Sequence, residues 1–447
     1  MRRVSIAGAE KGWLVHDVTA EIQHGALSAE ARRNFWLCVG NGAIVAAGMA
    51  FFAWETVMAG LAFKLTGSTV LVGLLVSVAA IGWQWPQLFV GNRIEHVHRK
   101  MPVYVVSVVV RVSSLCAMTA SVLLFWKTPL LLYWLVLLWT AVMTSAGGLC
   151  VIPFMDIVAK SVPPVHRPML FAYRRMFGGT LGALAGLATV YILSPASGLE
   201  YPTNYAVLLV AGLSLSALAY SLFMRTREPI EPVLAQAAPF LVFLKRGAAL
   251  FREDRDFRRY YAYRVVLALA MMSQVLFVPL AIDRFEAPVK STGWFSAVVA
   301  LVVALSSIFW GWLSRRHGET ALFRWGTGLL FLAPSSALAL VLLGRHPAAS
   351  AWVSAHYLWA CLFMFACLSA ARNGTDIAGI VYLLALPPPG QRPAYMAFMN
   401  TLSAPLMLAP VLAGVLVSRT SYGVAFAVSC VAALVALGIA FRLRQQG

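Results

Sequence analysis

Apolar runs of about 20 residues recur from residue 35 to residue 441, and no other feature constrains the fold as tightly. A run of that length spans the hydrocarbon of a bilayer as a helix, which satisfies its own backbone polar groups where lipid offers no partner. Hydrophobic residues make up 60% of the chain and charged ones only 12%, against roughly a quarter charged in an ordinary soluble domain. The sequence therefore predicts an all-α polytopic membrane protein and excludes a buried soluble core.

The net charge of +18 does not indicate a nucleic-acid partner. Lys and Arg gather in alternate loops, at residues 92–101, 160–175, 225–260 and 314–324, as the positive-inside rule requires of cytoplasmic segments. Both termini fall on that side, so the number of spans is even. The six cysteines lie in or beside apolar runs and form no Cys-x-x-Cys pair, so they read as packing residues without a metal or disulfide role. No Walker loop, metal cluster or nucleophile–base arrangement is visible, which predicts no cofactor and no enzyme.

A basic island, Gly91-Asn-Arg-Ile-Glu-His-Val-His-Arg-Lys100, separates two apolar runs, and a degraded copy, Gly311-Trp-Leu-Ser-Arg-Arg-His-Gly-Glu-Thr320, follows 220 residues later. Asp156 and Asp376 are also 220 apart, and Pro163-Pro-Val-His-Arg-Pro168 returns as Pro388-Pro-Gly-Gln-Arg-Pro393 after 225. Such an internal repeat is how many transporters are built.

The repeated island resembles the loop between the second and third helices of the major facilitator superfamily of secondary transporters, which reads G-x-L-a-D-R-x-G-R-K. Gly91, Arg99 and Lys100 match; Glu95 replaces the Asp and His98 the second Gly. The later copy keeps Gly311, Leu313, Arg316 and Gly318, with Arg315 where the acid belongs. The resemblance implies twelve transmembrane helices in two pseudo-symmetric six-helix halves. It also implies a cytoplasmic gate in which Arg99 pairs with Asp156 and Glu95 caps a helix of the other half. By the repeat, Asp376 should meet Arg315 or Arg316.

On this plan residues 1–34 form a cytoplasmic tail, 35–224 the first half, 225–260 a connector, 261–441 the second half and 442–447 a short tail. The first span, at 35–63, carries Asn41, Gly48 and Glu55 on one stripe seven residues apart. Glu55 is an acid well inside an apolar run, and intramembrane acids default to function. The fourth span presents Tyr133, Thr140 and Thr144, and the seventh Arg264 and Gln274. The tenth, drawn at 351–372, presents His356 and Trp359. The fifth is drawn at 176–193. The resemblance places a substrate cavity among the first, fourth, seventh and tenth helices.

The lining expected from these residues is aromatic and almost free of fixed charge, which predicts a small neutral or amphiphilic organic solute. The function expected is secondary transport by alternating access, leaning to export by proton antiport with Glu55 as the proton carrier. An uptake carrier or facilitator is the alternative, and a non-transporting scaffold or receptor the reading from another class. The expected partners are that solute, protons and the lipid bilayer, with no nucleic acid, for a monomer in a bacterial inner membrane.

The orientation is testable. With both termini cytoplasmic, Gln446→Cys in intact cells should stay unmodified by a membrane-impermeant thiol reagent; labelling there would reverse the topology.

Overall fold

The computed structural model describes residues 27–444, apart from 95–96, 164–165, 230–250, 345–346, 387–397 and 401. Glu95, most of the connector, the later proline-rich repeat and Gln446 therefore lie outside the described residues. Among the described residues every regular element is helical. Ten helical segments are long and apolar enough to cross a membrane. The 53-residue segment Ser291–Leu343 is two of the crossings, broken at Gly318, whose φ of 75° suits only glycine. Arg167–Ile192 adds another, its apolar part preceded by Arg167, Arg174 and Arg175. The spans number twelve. Apolar side chains such as Val106, Leu124, Ile308 and Trp325 stay exposed on the outside of the bundle, as a lipid-facing surface requires.

Several helices run differently from the sequence expectation. The tenth does not stop at residue 372 but continues through Pro347–Ala385. The fifth begins at Arg167 rather than 176. The first is broken: Ala29–Ala50 ends near Phe51, Ala53 is extended at ψ 120°, and a π-helical turn, Trp54–Met58, precedes Ala59–Thr66. The seventh is broken at the corresponding depth, where a 3-10 turn, Met272–Leu276, joins Arg255–Met271 to Phe277–Phe285. Pro279 lacks the N–H that would tie the chain to the Val275 carbonyl, which explains the break in the α-helical bonding there. The eleventh has a similar turn, Ala404–Leu408, which contains Pro405 and is followed by Pro410.

Among the described residues the two halves meet most closely over the parts of their helices remote from the basic loops, and glycine sets how closely. A Cβ on Gly73 of the second span would sit 2.3 Å from the Pro410 carbonyl oxygen of the eleventh, and one on Gly414 2.5 Å from the Thr69 oxygen. The fifth and eighth spans repeat the device: a Cβ on Gly186 would lie 2.5 Å from the Ala297 nitrogen, and one on Gly293 2.5 Å from the Val190 nitrogen. Gly73 and Gly293 are themselves 220 apart, so both seams obey the internal repeat. Hydrogen bonds reinforce them, from Thr69 Oγ1 to the Gly414 carbonyl (3.2 Å) and from Ser296 Oγ to the Ala50 carbonyl (3.1 Å). Toward the basic loops the halves diverge around a cavity.

Gly73→Leu should therefore wedge this face open. Thr292→Cys, buried at the seam against Gly60, should become reactive to an impermeant thiol reagent in the Gly73→Leu protein and stay protected without it. Equal protection in both would mean that the glycine seam does not hold the halves closed.

Candidate functional site: a charged cavity between the halves

The cavity has a volume of about 630 Å³ and is walled by the first, second, fifth, seventh, ninth, tenth and eleventh spans. Its deep end lies where the first and seventh helices break. There Glu55, carried by the π-helical turn, accepts hydrogen bonds at Oε1 from Arg372 Nη1 (2.5 Å) and Gln274 Nε2 (3.2 Å). The ion pair joins the first half to the second. Both side chains keep surface toward the cavity, 47% for Arg372 and 29% for Glu55, so the pair is partly wetted although it sits deep in the bundle. π-Turns inside helices concentrate at functional sites because they turn a side chain out of register; here the turn brings Glu55 to the seam.

Asp376 follows Arg372 by one helical turn and lies in the field of Arg372, Arg264 and Arg175. Arg175, from the fifth span, donates to Asn373 Oδ1 (3.1 Å) across the halves. Asn373 is fixed in turn by donating to the Val303 carbonyl, Ser306 Oγ and Ser307 Oγ of the eighth span. Arg264 lies against the Tyr260 hydroxyl. The lining thus holds three arginines, 175, 264 and 372, against two carboxylates, 55 and 376. The expectation of a lining almost free of fixed charge is corrected: to the expected Arg264 the structure adds Arg175, just before the fifth span as drawn, Arg372, the last residue of the tenth as drawn, and Asp376 beyond it.

Of the expected cavity residues, Glu55, Arg264 and Gln274 line the cavity; six others do packing work elsewhere. Asn41 is buried between spans, donating to the Ala219 carbonyl (2.8 Å) and accepting from Arg174 (3.1 Å). Tyr133 donates to the Leu71 carbonyl at 2.7 Å. Thr140 and Thr144 bond back to the Val136 and Thr140 carbonyls of their own helix. His356 stacks on Trp352 at the surface, and Trp359 is 73% exposed, as a lipid-facing residue would be. The break in the first helix explains Asn41: the seven-residue stripe to Glu55 presumes a continuous helix.

The gating set is likewise dispersed. Gly91 lies in the last turn of the second helix, Glu95 outside the described residues, and Arg99 is exposed. Asp156 pairs with Lys160 at 2.6 Å on its own helix, not with Arg99. Lys100 ends the loop, and the Glu228 carboxylate caps the third helix there, accepting from the Lys100 and Met101 amides at 2.7 and 2.9 Å; a carboxylate is favoured at a helix N-terminus. Gly311 lies in open space within the eighth helix. Arg315 is exposed, Arg316 lies over the Trp312 ring at 5.7 Å, and Gly318 makes the kink. Asp376 lines the cavity instead of meeting either arginine. The ion pairs implied by the resemblance, each within one half, are not made among the described residues.

The sequence matches the family model of the Major Facilitator Superfamily over residues 42–353 and 264–446. The chain belongs to the major facilitator superfamily. It is accordingly an integral membrane secondary transporter and not an enzyme. Comparison with curated protein sequences found no significant match. Solved structures of similar fold include a bacterial homologue of the iron transporter ferroportin in its inward-facing state (TM-score 0.65, 15% identity, covering 93% of this chain and 99% of that one). A D-xylose-proton symporter (0.65, 13%, 94% and 99%) and the nucleoside transporter NupG (0.61, 16%, 93% and 98%) share the fold over a similar extent.

Arg372 escaped the sequence reading because the tenth span was ended there. The signal was present in Arg372 and Asp376, opposite charges four residues apart and therefore on one helical face. A double-mutant cycle of Glu55→Gln and Arg372→Gln should show coupling of about 1 kcal/mol in stability, the modest size that suits a pair open to water. Additive effects would mean that the two do not interact.

Proposed function

We propose that this transporter carries a small organic solute bearing a negative group together with a proton, by alternating access, and that the structure is its inward-open state. The observation that carries this reading is the Glu55–Arg372 ion pair, which links the halves at the deep end of a cavity holding more arginine than carboxylate. By the positive-inside rule the basic loops face the cytoplasm, so the cavity opens inward.

The sign of the coupling follows from competition for Arg372. A solute carboxylate that binds this guanidinium displaces Glu55. The freed Glu55, now beside another anion and with its cation engaged, gains affinity for a proton. Proton and anion therefore favour each other's binding, and by linkage the effect is reciprocal. A cationic solute would do the opposite, competing with the proton at Glu55 and giving antiport. The lining therefore favours the uptake alternative over proton-driven export. Solute and proton would cross together once Glu55 is neutral, because the ion pair that ties the halves at this depth is then broken.

Glu55→Gln keeps the shape and can accept a hydrogen bond from Arg372, but it cannot titrate. In proteoliposomes this variant should still exchange labelled organic acid for unlabelled acid, while accumulation driven by a pH gradient should fall to the protein-free level. Unchanged pH-driven accumulation would remove Glu55 from the mechanism.

A further inference from the structure

The two walls of the cavity differ in kind. The second span contributes Val76, Ala79, Ala80 and Trp83, spaced to form one helical stripe, and that wall carries no charge. Opposite stand Arg264, Arg372 and Asp376 of the second half. A solute held by its acid group on the arginines lays the rest of its body along the uncharged stripe, and the last and largest member of that stripe is an indole.

Trp83 is held from behind more firmly than a space-filling side chain requires. The fourth span presses on it through glycines: a Cβ on Gly147 would lie 3.2 Å from the six-membered ring, and one on Gly148 2.6 Å from the Trp83 carbonyl oxygen. The Arg111 guanidinium sits over the ring, 5.2 Å from its centroid, and 5.0 Å from that of Tyr220 on its other side. Arg111 is only 5% exposed, has no carboxylate partner among the described residues, and leaves its Nε without a hydrogen bond. Burying a cation without an acid is costly unless aromatic faces or dipoles compensate. The compensation here includes the pair of rings and a hydrogen bond with Cys150, and the consequence is felt by Trp83. A cation on one side of an indole withdraws electron density from it, which favours packing of an electron-rich ring on what remains uncovered. The small side chains of Ala79 and Ala80 leave the space beside the indole open to such a ring.

We infer that the solute is an aromatic acid and that Trp83, positioned by Arg111 and Gly147, is the surface on which its ring packs. This deepens the proposed transport of an organic acid and rests on it. A purely aliphatic acid would be served by valine, alanine and leucine along this wall and would gain nothing from a cation-backed indole. The volume of about 630 Å³ accommodates one or two fused rings with an acid arm.

Two probes separate the inference from the reading beneath it: 2-naphthoate and its fully saturated analogue, decahydro-2-naphthoate, matched in carbon skeleton and charge. Calorimetric titration of the full-length protein in detergent should give about three- to ten-fold tighter binding of the aromatic acid, the range expected of one ring–ring contact. Trp83→Phe should retain the preference, which also shows that the site survives substitution. Trp83→Leu should bind both acids equally. Equal binding of the two by the unaltered protein overturns the aromatic inference and leaves transport of organic acids standing. A preference that persists in Trp83→Leu overturns the role of Trp83. Failure of both acids to bind the unaltered protein overturns the organic-acid reading, and this inference with it.

Discussion

The structure turns on one ion pair, Glu55 with Arg372, placed where two broken helices meet. A carboxylate inside a membrane protein is costly unless it is paired and hydrogen-bonded. Glu55 meets that requirement only by reaching across to the other half, for Arg372 and Gln274 both belong to it. The first helix must break to present Glu55 at the seam, and the seventh breaks at the same depth to present Gln274. Satisfying one charge thus fixes the relative position of the halves at mid-depth. In the proposed cycle, whatever neutralises or re-pairs that charge releases them.

The glycine seams supply the other half of a two-state device. Backbone packed on backbone at Gly73, Gly186, Gly293 and Gly414 leaves few polar side chains, Thr69 and Ser296 among them, to be solvated when the halves part. Such contacts close tightly by dispersion yet hold no extensive hydrogen-bond network that would have to be broken. The polar cost of alternation is concentrated in the ion pair, and the apolar seams follow it. In the proposed cycle, a binding event at Arg372 therefore governs movement along the length of the bundle.

The fold was legible in the sequence and much of the site was not, for reasons that individual residues show. Apolar runs and the duplicated island at Gly91 and Gly311 indicate the family, because lipid imposes helices and the gene repeat leaves its spacing behind. Glu55, Arg264 and Gln274 stood out as charged or polar residues in apolar surroundings. Arg175 fell just outside the fifth span, Arg372 was made the last residue of the tenth, and Asp376 was assigned to a gate, because charge was taken to mark the end of a span. Inside a transporter that signal inverts: a water-filled cavity lets charges sit at mid-depth, and the helix continues past them to Ala385. Asn41, Tyr133, Thr140 and Thr144 show the reverse error. Their polar groups bond to backbone carbonyls of their own or neighbouring helices, a use that period and composition do not distinguish from lining a cavity.

The central claim is that an acid solute and a proton favour each other through Arg372 and Glu55. The most direct measurement counts protons when solute binds to purified protein in weakly buffered solution containing a pH indicator. The account predicts that adding an organic acid already in its anionic form makes the protein take up protons, approaching one per bound solute, and that Glu55→Gln takes up none. Proton release on binding, or binding with no proton exchanged by the unaltered protein, would contradict it.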